Sequence, residues 1–492
     1  MKVNILIVFT LLTHFCFAQK EAVLNTFSKT QLLDDYTLLI NALKEAHPGL
    51  YWYTNYADYE KLIGEKREEI KEGMNSYEFF RIVSRIVSAD KEGHSSVYSS
   101  NDIGDFVKEK AYYLPIAIKT ISNKLYLQNN IESYQTKGRI LTHINGNPID
   151  SILHVIFAHT SHHSDGFSVT GKYKDLDRFG FSSYYLDFID FASEKAVLTL
   201  QNPDSSKDKM MLEINLVNRE GLVALSRSVP KISRKNDDKI YNLEFRKESA
   251  TAILTFNTFS YSAFEKQNLD FKKVVDSTFV CIKSNKTKNL IIDIRNNGGG
   301  SEGAEDYLFS YLTNKPYQKY QYVEAKGFTF SFLDYTDYKD DRENLESMLK
   351  EEHELAKDGR FLRKPEVLPT APPQDQPFEG NVYILCSGNT YSAGSEFAAI
   401  AKAYSDAILI GEETGGGFYG QTSGSYVYLL LPNTKIEVRI PLLKFFTTFT
   451  NDNIPFGRGV IPDYHIQPNY KEYINGIDSE MNFVLKLISG NQ

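Results

Sequence analysis

The chain has 492 residues, long enough for two or three domains with substantial cores. Its 42% hydrophobic and 24% charged residues are ordinary for a globular protein. A net charge of −8 with no basic cluster argues against nucleic-acid binding.

Met1 to Ala18 carries Lys2, an apolar run from Ile5 to Phe17, and small residues Cys16 and Ala18 at the cleavage positions. That pattern predicts a secretory signal peptide cut before Gln19, and the run is too short for a membrane span. The expected product is exported and soluble, periplasmic or secreted. Only Cys281 and Cys386 then remain, both in apolar strand-like runs, so two buried thiols are expected rather than a disulfide. The 32 tyrosines and 32 phenylalanines suit stacked cores or aromatic-lined grooves.

Residues 19–101 read as a helical domain. Leu32, Leu33, Tyr36, Leu39, Ile40 and Leu43 make one apolar face that stops before Pro48, and further helices are expected over 56–71 and 77–88. In KEGHSSVYSS, Gly93 and His94 leave the helices for an extended segment. Residues 102–218 alternate short strands with one helix. Strands are expected at 113–118, 124–128, 197–200 and 211–216, with the helix from Ser151 to His159. GRILTHINGNPID, at 138–150, reads as a strand, an Asn145-Gly146 turn and a short return. His154, His159, His162 and His163 cluster here, and His159 and His163 lie one helical turn apart. No clear acidic or thiol partner accompanies them, so a solvated helix end is expected; neither a metal nor a cofactor is predicted.

Residues 219–245 read as a polar, basic linker. From 246 onwards strand, helix and strand alternate, which implies a mostly parallel sheet. Ala250 to Asn257 and Leu290 to Ile294 are buried strands, joined by a helix from Phe264 to Ser284. An insertion is expected at about 315–380, charged and helical from Arg342 to Leu355, then proline-rich. It offers itself as a lid. Tyr426 to Leu431 and Ile436 to Ile440 form a hairpin, and Ser479 to Ile488 a final helix.

The chemistry concentrates in two strand ends. Val382 to Cys386 is a strand, residues 387–390 break it, and Ser395 to Tyr404 returns at helical spacing. Ser392 therefore sits at a helix N-terminus, where outward N–H groups and the dipole favour negative charge. A serine there can attack a carbonyl while amides hold the oxyanion. The same residues also suit a simple cap, Thr390 or Ser392 with Glu396 in the first turn. At the second strand end, glycines 298 to 300 bring bare backbone amides close to a ligand and offer the other half of an oxyanion hole. GGGSEG also satisfies a dinucleotide fingerprint, but Arg295 to Asn297 intervene after the strand and Glu302, Glu305 and Asp306 crowd the phosphate position. That reading is rejected. A G-x-S-x-G elbow would need glycine where Thr390 stands, although Asp463 and His465 follow in suitable order.

LIIDIRNNGGG, TYSAGSEFA and ILIGEETGGG, in this order, resemble the S41 peptidase family of carboxy-terminal processing (tail-specific) and tricorn-like serine proteases. The resemblance implies an α/β multidomain protein with a ClpP/crotonase-like catalytic domain over 246–492. EAHPGLYWY resembles the amino-terminal cap region of tricorn-like members, GRGVIPDYHIQP a closing segment, and 138–150 a PDZ core. Three site expectations follow from the resemblance. A Gly-His-Ser/Thr turn supplies the family's histidine, matching His94 as base. The lysine position of the processing proteases falls on Gly417, so no Ser–Lys dyad is available. The oxyanion donors are the N–H of Ala393 and of Gly298 or Gly299. The acidic orienting residue has no match in RIPLLKFF, leaving Ser95 and Glu413 as candidates. The expected protein is an exported serine peptidase acting on peptides or unfolded proteins, with a free carboxy-terminus as a selecting feature. The alternatives are a catalytically inactive peptide-binding protein of the same fold and an α/β-hydrolase-like esterase. An imidazole base predicts activity falling below a pKa near 6.5.

Overall fold

Residues 22–368 and 370–490 are described by a computed structural model; the expected signal peptide at 1–18 lies outside them. The amino-terminal helices begin where capping residues satisfy their first amides. Ser28 and Gln31 form a capping box on Lys29–Ala46, Asn55 caps Tyr56–Glu68, and Asn75 with Glu78 boxes Ser76–Val87. The predicted face of the first helix is buried apart from Leu33. The short strand Ser96–Tyr98 then leaves the helices and pairs with Glu437–Thr447, Ser96 opposite Arg439.

The next segment is a meander in the order Ile118–Ile121, Lys124–Leu127, Ile140–Ile144, Lys195–Asn202, Ser205–Asn215. The segment expected at 102–218 carries four helices rather than one: Asn101–Glu109, Ile149–His159, Thr170–Asp175 and Gly180–Phe188. The first strand is shorter than expected and begins only at Ile118. Its outer edge is already engaged, since Ile118 pairs with Arg178 and the Thr120 amide donates to Asp177.

The expected linker is ordered. Asn218 caps a helix, Arg219–Ser228, and Tyr241–Arg246 is an edge strand. No residue of the helix is fully buried, and only a short stripe through Leu222 packs on the Tyr113 and Leu186 cluster, so the signal is weak.

The central sheet has the order Tyr464–His465, Ile408–Gly411, Asn381–Cys386, Asn289–Asp293, Thr251–Phe256, Tyr241–Arg246. All neighbours are parallel except the last pair. Its strands are apolar on both faces because both are covered. Leu254, Leu290, Ile292 and Ile384 pack on Phe271–Ser284, Ala304–Phe309 and Ala393–Tyr404. The alternating Ile253, Ile291, Tyr383 and Leu385 face Val484 and Ile488 of Ser479–Gly490.

A second sheet absorbs much of the expected insertion. Tyr320–Ala325, Phe361–Arg363 and His353–Leu355 extend it from Glu437–Thr447, which also pairs with Gly420–Leu430. The expected helix stops at Glu352 because His353–Leu355 leaves it as a strand. Cys386 is buried, but Cys281 is exposed on an amphipathic helix; neither is in a disulfide. Among the described residues no helix is long and apolar enough to cross a membrane.

Candidate active site

Strands Asn289–Asp293 and Asn381–Cys386 are parallel neighbours, so their carboxy-terminal ends open side by side, where open α/β sheets hold ligands. Polar bonds stitch the two exits together. Thr390 Oγ1 donates to the Ile294 carbonyl at 2.9 Å, Ser387 Oγ to that of Arg295 at 2.6 Å, and the Tyr391 amide to that of Asn297 at 3.0 Å. Arg295 is fully buried and bonds Asp293 and both oxygens of Asp478, which anchors its exit to the carboxy-terminal helix.

Ser392 precedes helix Ala393–Tyr404 with φ 51° and ψ −130°, a costly conformation for a residue with a Cβ. Its hydroxyl makes no capping bond, so the cap reading fails. Gly299 explains how the exits approach so closely: a Cβ there would lie 2.6 Å from Ser392 Cβ, and its φ is +104°. The Gly299 amide donates to Asn297 Oδ1 at 2.9 Å, so it is not available to an oxyanion. The Gly298 and Ala393 amides form no hydrogen bond among the described residues, and Gly298 is exposed.

His94 reaches this point from 298 positions away, its Nε2 3.2 Å from Ser392 Oγ. Its turn is clamped from several sides. Asp90 accepts from the Glu92 amide, from Ser95 Oγ and from His47 Nε2–H, the last fixed as donor because His47 Nδ1 accepts from the Gly49 amide. Glu92 accepts from the amide and hydroxyl of Thr422, and Arg439 donates to the His94 carbonyl at 2.8 Å.

Neither expected orienting residue touches the imidazole. Ser95 is held by Asp90, and Glu413 is committed to Arg458 and the Gly459 amide. Asp463 binds Lys402 and the Leu409 amide, while His465 is exposed opposite Gly411. Instead, Tyr391 Oη lies 2.9 Å from His94 Nδ1 and donates to Asp165 Oδ1 at 3.0 Å. Asp165 also accepts from the Gly93 amide at 3.0 Å and from the Gly417 amide at 3.1 Å. Gly417, in the lysine position, thus contributes a main-chain N–H. Tyr391 stood inside the quoted motif and Asp165 in a turn after the histidines, but nothing in their local spelling signals this convergence.

Burial, and then Arg439, push His94 down to about 3, so it is a neutral acceptor at ordinary pH. The expected acid limb near 6.5 assumes an unshifted imidazole, and burial moves that group down. The histidine cluster also differs from expectation. His159 Nδ1 bonds the carbonyl of Val155 in its own helix, whereas His162 and His163 share Asp175 as an acidic partner.

Residues 250–466 match the model of peptidase family S41. Solved structures with the same fold include mature CPAF complexed with lactacystin, 16% identical with a TM-score of 0.62. That match covers 94% of this chain and 99% of the other. A second structure of mature CPAF gives 15% and 0.60, covering 94% and 98%. The shared fold extends well beyond the matched segment, through the amino-terminal helices that carry His94. Residues 250–466 are thus a peptidase family S41 segment, and the chain is a serine-type peptidase.

Proposed function

We propose that this peptidase cleaves peptide bonds with Ser392 as nucleophile and His94 as general base. The carrying observation is the 3.2 Å approach of His94 Nε2 to Ser392 Oγ, between groups far apart in sequence. As Oγ attacks the substrate carbonyl, its proton passes to Nε2; a positioned base contributes about 10² to 10⁴ in rate. The tetrahedral oxyanion is met by the Ala393 and Gly298 amides, which helix geometry and an open glycine leave available. His94 then protonates the leaving amine, and water repeats the sequence on the acyl-enzyme. The geometry favours this over an inactive peptide binder, which would have no use for a strained serine beside a buried imidazole. It also favours it over an esterase built on Asp463 and His465, which are engaged or exposed elsewhere.

Serine-directed fluorophosphonate labelling of wild type against Ser392→Ala tests the assignment. Labelling of wild type alone supports it, and equal labelling of both proteins removes Ser392. Export rests on the Met1–Ala18 pattern, and an amino-terminus at Gln19 in secreted material is the matching result. Selection of a free carboxy-terminus rests on the small β-meander. Because Ile118 and Thr120 already use their edge amides, a carboxylate would have to be met by loop amides rather than by a full added strand. Equal affinity for acid and amide forms of one peptide would remove that selection.

A further inference from the structure

We infer that Tyr391 and Asp165 are positioning residues that hold His94 in the one neutral tautomer able to accept the Ser392 proton. This rests on the Ser392–His94 assignment and extends it inward.

The count of available hydrogens fixes the tautomer. A phenol has one proton to donate, and Tyr391 gives it to Asp165 Oδ1 at 3.0 Å. Towards His94 Nδ1, 2.9 Å away, the Tyr391 oxygen is therefore left as acceptor. Neutral His94 must then carry its hydrogen on Nδ1, which leaves the Nε2 lone pair facing Ser392 Oγ. If the Tyr391 hydroxyl turned to donate to Nδ1 instead, the imidazole proton would sit on Nε2. Ser392 would then face a donor.

Asp165 decides between these two arrangements. The Gly93 and Gly417 amides fix its two oxygens, so the oxygen facing Tyr391 is ready to accept. The close approach is built into the chain: a Cβ on Gly93 would come 2.4 Å from the Tyr391 hydroxyl. Tyr391 is buried and its own ionisation is pushed far up, so it acts as a dipole, not as a base.

Asp165 is surrounded by Glu92 and Asp90 on the turn after the third helix, by Tyr391, and by Tyr53 and Tyr426. Besides Tyr391, the titratable or charged groups facing His94 are Tyr426, stacked on its ring, and His162, His163 and Arg439. Burial and the nearby Asp165 push Glu92 well above the carboxylate range, and one of its oxygens is buried without a partner. Burial raises Asp165 to about 6. Below that pH the carboxyl no longer compels the Tyr391 hydroxyl to point at it, and the productive tautomer is lost while His94 itself remains unprotonated.

The test uses the full chain and a fluorophosphonate probe, with Ser392 phosphonylation rates followed from pH 4 to 9. Wild type should show an acid limb near 6. Tyr391→Phe should react about tenfold to a hundredfold more slowly. Asp165→Asn, which cannot titrate, should react more slowly at neutral pH and lose the limb. Nitrogen-15 NMR of labelled histidines should place the His94 proton on Nδ1 in wild type and shift it towards Nε2 in Tyr391→Phe, with thermal melts confirming that both variants fold. A wild-type His94 proton on Nε2 overturns the inference without any variant. So does a reactive Ser392 whose rate, limb and tautomer survive Tyr391→Phe. A wild-type protein that the probe does not modify at Ser392 overturns the proposed nucleophile instead.

Discussion

Arg439 donates its Nε–H to the main-chain carbonyl of His94 at 2.8 Å, across 345 positions of sequence. The same arginine lies opposite Ser96 in the strand pair that brings this turn against the catalytic sheets. It therefore does two things to His94: it fixes the backbone that aims the imidazole, and its charge disfavours protonation. Arg439→Met keeps length and loses both. Phosphonylation of Ser392 should slow by about tenfold, and the imidazole should titrate higher than in wild type. An NMR titration that leaves His94 unmoved would show that the guanidinium is too well screened to matter.

Gly299→Ala places a methyl group 2.6 Å from Ser392 Cβ at a φ of +104°. The neighbour is Ser392 Cβ, held by the sheet and helix it joins, so it cannot yield cheaply. Such strain costs on the order of 1–3 kcal/mol, and serine labelling should fall by about 10². A variant that melts like wild type and labels at the wild-type rate would mean that the two exits are looser than these distances indicate.

Arg295 is buried among Asp293, Asp478 and Glu480, the last 3.3 Å away. Removing one partner from a buried charge cluster leaves the others uncompensated, a loss of roughly 3–5 kcal/mol. Arg295→Met should lower the urea midpoint accordingly and loosen both the glycine turn and the carboxy-terminal helix. A loss below about 1 kcal/mol would show that water replaces the guanidinium.

How far these features could be read in advance depended on where their physical cause lies. The strands Thr251–Phe256, Asn289–Asp293 and Asn381–Cys386 are buried on both faces, so each is spelled as a nearly continuous apolar run. Helix Arg219–Ser228 buries no side chain fully, and His353–Leu355 and Phe361–Arg363 are three residues long, too short for any period to emerge. Ser392 and the glycine triplet were legible because strand-to-helix exits are local events with local signatures. His94 was legible through its family-like turn. Tyr391 and Asp165 were not, because their relation exists only where the turns at residues 93, 165, 391 and 417 converge. The lysine position was read as a loss of chemistry; its amide instead holds a carboxylate.

The two buried titrating groups make opposite contributions to stability against pH. His94 is depressed to about 3 in the fold, against an ordinary value near 6.5. Between those values the unfolded chain binds a proton that the folded one refuses, so stability falls as pH falls through this window. Asp165 is raised to about 6 from an ordinary value near 3.8. Between those values the folded chain holds the extra proton, so stability rises as pH falls. In wild type the two slopes oppose each other from about 6 down to about 4, each at most about 1.4 kcal/mol per pH unit. Single variants should separate them. His94→Gln removes the first term and should become relatively more stable than wild type as pH drops from 7 to 4. Asp165→Asn removes the second and should lose stability faster than wild type over the same range. Urea unfolding of the three proteins at pH 7, 5 and 4 checks both signs. Parallel curves for wild type and His94→Gln would mean that His94 gains a proton in the fold as readily as it does unfolded, and the neutral acceptor facing Ser392 would be lost with it.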